Sequence, residues 1–272
     1  QLLWRVAETI RIQQEVVEDQ LRRNDVTLLL GEGYFLDAHT IGVRHERGEE
    51  RYSAEYIVIA VGTFPAAPPG VPVDGQIVLT SDAIVGLTAL PKTMAVVGAG
   101  VIGIEYAAMF AELGVEITIV EKRERPLEFL DREIVDELMH KMRERNVTFR
   151  LGETVASVEI EAVTGKRAVI LLESGKRIVA DAVLYSVGRV AATDRLGLAA
   201  AGLTPGERGK LSVDEEFRTP VQNIFAAGDV LGAPSLAAVS AEQGRLAACH
   251  AFGAASGPMP KHFPYGIYAI PE

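Results

Sequence analysis

Residues Met94-Ala95-Val96-Val97-Gly98-Ala99-Gly100-Val101-Ile102-Gly103-Ile104-Glu105 constrain the fold more than any other stretch of this chain. An apolar run enters Gly98-x-Gly100-x-x-Gly103, and the residues after it, up to Leu113, are rich in Ala and Met. A GxGxxG turn between a strand and a helix gives each glycine a physical task. Gly98 permits a tight turn, Gly100 lets a pyrophosphate approach the backbone, and Gly103 lets the helix pack closely on the strand. Val101 and Ile102 carry N–H groups of the first helical turn, whose positive dipole end suits an anion. Gly114 ends the helix and 115–120 reads as a second strand, so 94–120 predicts a βαβ unit in a parallel, Rossmann-like α/β sheet.

The second strand ends on Glu121, about 20 residues past the glycines, where a carboxylate can accept hydrogen bonds from an adenosine ribose. That favours NAD. Lys122, Arg123 and Arg125 follow at once, and such a cluster suits the 2′-phosphate of NADP or is a solvated surface run. Glu105, in the first helical turn, reads either as a carboxylate complementing the helix dipole or as a contact to the nicotinamide at the redox face. Further on, Ile224-Phe225-Ala226-Ala227-Gly228-Asp229 places Asp229 after a short buried strand, where α/β sheets collect ligands. An Asp there also serves as a turn or helix cap.

The 272 residues suffice for about two domains. A net charge of −10 argues against nucleic acid and against an anionic membrane surface, since both need a basic face. No apolar run reaches the roughly 18 residues of a membrane span. One cysteine, Cys249, forms no internal disulfide or CxxC site, so a reducing, cytoplasmic compartment is expected, with Cys249 a small apolar residue on a helix. The five histidines show no metal-ligand spacing, and no metal is expected. Gln1 and Glu272 read as cut ends, which leads to the expectation of a longer protein.

Residues 2–23 place Leu3, Val6, Ile10, Val17 and Leu21 near one helical face. Residues 26–30 read as a short buried strand stopped by Gly31 and Gly33, residues 40–43 and 51–56 as hairpin arms around Arg47-Gly48-Glu49, and 56–62 as a strand buried on both faces. Four prolines in 65–72 mark a linker. A charged helix over 131–145 and a strand over 147–150 follow. The layout of 40–62 then recurs in 169–188, where 169–173, the turn Ser174-Gly175 and 177–179 lead into 182–188 and end on Gly188. The repeat predicts two domains of one architecture, each with a three-stranded meander feeding a strand that ends in Gly. The expected division is a partial domain over 1–86, the glycine-motif domain over 87–205, the rest of the first domain over 206–256, and the start of another over 257–272.

The motifs at 56–62, 98–105, 184–189 and 225–229, in that order and spacing, resemble the two-dinucleotide-fold flavoprotein reductases, the group of dihydrolipoamide dehydrogenase and glutathione reductase. Gly100-Val101-Ile102-Gly103-Ile104-Glu105-Tyr106-Ala107, Arg123-Glu124-Arg125 and Gly228-Asp229-Val230-Leu231-Gly232-Ala233-Pro234-Ser235 are most similar to the transhydrogenase branch of that group. The resemblance implies an FAD domain interrupted by a Rossmann-like NAD domain. Gly33, Val61, Gly62, Thr63, Asp229, Ser235, Leu236, Ala237 and Ala238 would then line the FAD site. Gly98, Gly100, Val101, Ile102, Gly103, Glu105, Glu121, Arg123, Val155 and Gly188 would bind NAD or NADP, with Glu105 at the reacting ring. It further implies hydride transfer between NADPH and NAD through FAD, and a homodimer formed by a C-terminal domain. This chain holds one GxGxxG and lacks the one for the FAD pyrophosphate, so its FAD site is incomplete and activity of the fragment alone is not expected. A disulfide reductase of the dihydrolipoamide dehydrogenase kind and a non-catalytic NAD-binding module are the rival readings.

Overall fold

A computed structural model describes residues 2–161 and 166–270. The chain divides into two compact units, one of Gln1–Arg11, Pro65–Gly188 and Gly266–Glu272, the other of Ile12–Phe64 and Arg189–Tyr265.

The first unit is built on five parallel strands in the order Val78–Thr80, Ala182–Tyr185, Thr93–Val97, Glu116–Glu121, Val147–Leu151. Thr93–Val97 lies in the middle of this sheet, and its side chains alternate between two apolar cores. Met94 and Val96 join Ile104, Ala107, Ala108, Ile117 and Ile119 beneath the helix Val101–Glu112. Ala95 and Val97 join Val158, Ala168 and Ile170 on the opposite face. That face is covered by an antiparallel meander of Val155–Glu161, Arg167–Leu172 and Arg177–Ala180. Burial on both sides explains why these strands read as unbroken apolar runs. The helix Arg132–Arg143 starts at Asp131, whose side chain accepts the Glu133 N–H at 2.9 Å. At the amino-terminal end of the sheet, Asp181 accepts the N–H groups of Lys92 and Thr93, both at 3.1 Å, and pairs with Arg167. The strand Val155–Glu161 is absent from the segments read out of the sequence. A register shift between Val155 and Ser157 breaks its alternation at the start.

The second unit holds a matching meander of Glu32–Phe35, Thr40–His45 and Gly48–Ser53. Beside it, Ile57–Ile59 runs parallel to Ile224–Ala226, and the helix Ala237–Ala251 packs Leu246 and Ala247 against Phe225. Cys249 is a free, half-buried thiol on this helix.

Two expectations are corrected here, and a third is met with an exposed face. Residues 26–30 form no strand, and Val26, Leu28, Leu29 and Leu30 are exposed, Leu30 by 80%. A strand needs a neighbour for its backbone N–H and C=O groups, and no described strand pairs with this segment. The 56–62 strand shrinks to Ile57–Ile59 with one neighbouring strand, leaving Val58 42% exposed rather than covered on both faces. The opening helix Leu2–Arg23 does form, yet Ile10 and Val17 on its apolar face are exposed, because periodicity indicates where a face lies and not whether anything covers it.

The contrast between the segments is measurable. Leu184→Ala, in the fully buried middle of the parallel sheet, is expected to lower unfolding free energy by about 2–5 kcal/mol in urea titration. Leu30→Ser should shift it by no more than about 0.5 kcal/mol; a shift of buried-core size would restore the buried-strand reading of 26–30.

Candidate dinucleotide-binding site

The carboxyl end of Thr93–Val97 turns sharply at Gly98, whose N–H donates to the Val120 carbonyl at 2.8 Å. Gly98 has φ +101°, and a Cβ on it would meet the Ser186 carbonyl oxygen at 2.6 Å. A Cβ on Gly103 would stand 2.0 Å from the Gly98 carbonyl oxygen and 2.7 Å from Ser186 Oγ. That hydroxyl lies 2.9 and 3.0 Å from the Val97 and Gly98 carbonyl oxygens, tying the turn to the strand Ala182–Tyr185. Two of the three glycines are therefore demanded by the protein's own packing.

Gly100 is different. Its φ of −78° and ψ of −175° suit any residue, and a Cβ there would meet no atom within 4 Å. It is the N-cap of Val101–Glu112 and supplies no side chain to the helix N-terminus, where Ser, Thr, Asp or Asn would stabilise by about 1 kcal/mol. Nothing in the fold requires glycine here. The space at the Gly100 Cβ position is open beside the start of the helix, and the first N–H groups of a helix favour an anion.

Glu121, 4% exposed, ends the adjacent strand beside this turn. Its Oε2 accepts the Ala99 N–H at 2.7 Å and Arg123 Nη2 at 3.0 Å. Its Oε1 accepts the Arg123 backbone N–H at 3.0 Å and Arg123 Nε at 2.9 Å. Burial opposes the charged form, but the bonds from the Arg123 side chain and the two backbone N–H groups outweigh it and hold the carboxyl below the usual glutamate range. Arg125 follows with Nε and Nη2 buried and no acceptor among the described residues. Glu105 is half-buried, and its Oε1 accepts the Tyr268 backbone N–H at 2.8 Å. Gly188, at φ +109°, lies just past the strand Ala182–Tyr185. Val155 opens the meander and rests against the second core.

In the second unit, the parallel pair brings Val61, Gly62, Thr63 and Asp229 to one edge, past the carboxyl ends of Ile57–Ile59 and Ile224–Ala226. The Thr63 hydroxyl and carbonyl each accept from Arg189 at 2.7 Å. Gln243 Oε1 receives the Gly228 N–H at 2.7 Å, and Ser240 Oγ lies 3.4 Å from Asp229 Oδ1. Ser235 and Leu236 precede, and Ala237 and Ala238 begin, the helix Ala237–Ala251. These residues would present one helix N-terminus and one carboxylate to a flavin dinucleotide. Gly33 instead lies inside the meander, opposite Val43. The anchoring of Gly228 by Gln243 and the unpaired state of 26–30 are features that motif reading did not supply.

A parallel sheet with a glycine turn at its carboxyl edge, a meander on its far face and a second unit that repeats the meander place the chain in the Rossmann-like α/β class. The chain belongs to the pyridine nucleotide-disulphide oxidoreductase family, whose model matches residues 2–244. It is 49% identical over 273 aligned residues to the soluble pyridine nucleotide transhydrogenase of Mycobacterium tuberculosis, and 42% identical over 268 to that of Photobacterium profundum. The alignments cover 100% and 95% of this chain but 58% and 56% of those proteins, so the chain spans little more than half their length. Among solved structures it is similar to LpdA from M. tuberculosis, at TM-score 0.88 and 31% identity over 96% of this chain and 57% of that one. The HOCl-induced flavoprotein disulfide reductase RclA from Escherichia coli gives 0.84 and 27%, over 97% and 62%.

Two stability measurements separate the glycines. Gly98→Ala and Gly103→Ala are expected to destabilise by about 1–3 kcal/mol or more in urea unfolding, and Gly100→Ala by under about 0.5 kcal/mol. Equal losses at all three positions would remove the argument that Gly100 serves a ligand. For Glu121, a carboxyl held low in the folded state adds stability that is complete above its ordinary value of about 4.3 and fades as pH falls through the depressed one. The stability difference between wild type and Glu121→Gln should therefore be flat above about pH 5 and shrink below about pH 4.

Proposed function

We propose that this chain binds a nicotinamide dinucleotide at 98–103 and belongs to a flavoprotein that transfers a hydride between NADPH and NAD through FAD. The observation that carries the binding reading is the glycine at position 100, which the fold does not need and a pyrophosphate does. The 49% identity to proteins named soluble pyridine nucleotide transhydrogenase supports the reaction. The flavin, when bound, would supply reversible hydride exchange between a reduced and an oxidised nicotinamide, a redox-balanced pair that calls for no further reactant. This chain's residues bind and orient: the helix end holds the pyrophosphate, and Glu121, Arg123, Val155 and Gly188 border the dinucleotide. Glu105, near the start of the same helix, is assigned to the nicotinamide end. The FAD site falls to Val61, Gly62, Thr63, Asp229 and 235–238, with Gly33 a weaker member.

In this reading the unit of 12–64 and 189–265 belongs to an FAD domain, the unit built on 65–188 is the inserted nicotinamide domain, and the chain's last residues begin a dimerisation domain of a cytoplasmic homodimer. Among the described residues no helix is long and apolar enough to cross a membrane. A second reading, a disulfide reductase, draws on the likeness to RclA. Its dithiol would have to come from outside this chain, which holds the single Cys249.

Calorimetric titration with NAD and with NADP tests the binding half. Wild type is expected to bind at least one of them, and Gly100→Ala to weaken that binding about tenfold or more while unfolding at the same urea concentration. A folded wild type that binds neither would sink the proposal.

A further inference from the structure

The carboxylate of Glu121 has about four lone-pair positions, and all four are filled by Ala99 and Arg123. It therefore has no acceptor position to offer a ribose hydroxyl, although it occupies the place from which such a carboxylate usually does so. Arg123 is bound to it through the Nε–Nη2 edge of its guanidinium. A guanidinium has five N–H bonds in a planar fork, and this contact uses one from each of Nε and Nη2. The Nη1–Nη2 edge keeps three. Its neighbour there is Glu128 Oε2, 3.8 Å from Nη1, an ion pair longer than a hydrogen bond. The Arg123 side chain is 39% exposed, its carboxylate partner 4%. One edge of the fork is fixed inward and the other is accessible.

We infer that Glu121 and Arg123 form one recognition unit for the 2′ position of the adenosine ribose, in which Glu121 positions and Arg123 contacts, so that the unit accepts the 2′-phosphate of NADP. This rests on the dinucleotide reading of the glycine turn. A phosphate at the open Nη1–Nη2 edge meets paired donors in the geometry that favours bidentate binding. The buried carboxylate has its charge compensated and no longer repels the dianion at full strength. Accepting the 2′-hydroxyl of NAD at Glu121 instead requires Arg123 to leave, which frees two acceptor positions at the cost of a partly buried ion pair.

The sign of one substitution distinguishes this from the ordinary role of an acidic residue at this position. If Glu121 were a ribose acceptor, Glu121→Gln would weaken NAD and strengthen NADP by removing a repulsive charge. If it positions Arg123, the same change weakens NADP, even though the site becomes more positive.

Calorimetric titration of the chain with NAD, NADP, AMP and adenosine 2′,5′-bisphosphate, each on wild type, Glu121→Gln and Arg123→Ala, reads this directly and involves no turnover. Wild type should bind NADP at least as tightly as NAD. Arg123→Ala, at an accessible side chain, should lower the NADP-to-NAD affinity ratio roughly ten- to hundredfold, the scale of one charge-assisted paired contact. The bisphosphate-to-AMP ratio should fall in parallel, since the effect belongs to the adenosine end. Glu121→Gln should lower NADP affinity several-fold. A rise in NADP affinity on Glu121→Gln, or an unchanged ratio on Arg123→Ala, overturns the inference while leaving the dinucleotide site standing. Failure of the folded wild type to bind any of the four overturns both.

Discussion

The approach of Gly103 to the Gly98 carbonyl sets the geometry of the whole carboxyl edge of the parallel sheet. With room for a hydrogen and none for a methyl group, the helix Val101–Glu112 lies close against the strand Thr93–Val97, and small residues at Ala107, Ala108 and Ala111 keep it there along its length. Ser186 completes the contact from the neighbouring strand. A helix held this closely to the sheet directs its first N–H groups past the strand ends, where Gly100 leaves them uncovered. Packing at two glycines thus creates the opening at the third.

The net charge of −10 conceals how the carboxylates are used. Asp74 accepts the N–H groups of Gln76, Ile77 and Val78 at 2.8–2.9 Å, Asp131 caps a helix, Asp181 holds the start of Thr93–Val97, and Glu121 receives Ala99. Each satisfies backbone donors that a turn or strand end would otherwise leave unmet. Asp74, Asp181 and Glu121 are held below their ordinary ranges because those bonds, joined by the Arg123 side chain at Glu121 and by the Arg167 charge at Asp181, outweigh the cost of burial. At these four positions acidity serves as scaffolding for turns, a helix start and strand ends.

How far the fold could be read from sequence depended on whether a segment meets its partners among the described residues. The stretch 94–121 was legible down to individual glycines because its strand neighbours, its helix and its second covering layer are all encoded between 77 and 185. Residues 26–30 and 56–62 carry apolar runs of the same kind, yet Leu30 and Val58 are exposed, since hydrophobicity shows what a strand would bury and not what is present to bury it. The meander strand Val155–Glu161 failed for a more local reason. Its bulge offsets Val155 from the alternation that Val158 and Ile160 follow, and a period of two cannot be read across an extra residue.

The candidate site shows the same limit at the level of one side chain. Spacing located Glu121 at the strand end, and composition located the basic residues after it. Neither gives the hydrogen bonds that decide what a carboxylate can do. An acceptor acts on a ligand through lone pairs not already engaged, and those of Glu121 are taken by a backbone amide and by an arginine two residues on. The loop that returns Leu127 N–H to the Ala99 carbonyl brings this basic segment back over the glycine turn. It is that loop, more than the identity of the acidic residue, that converts a position associated with ribose hydroxyls into one that holds a guanidinium in place.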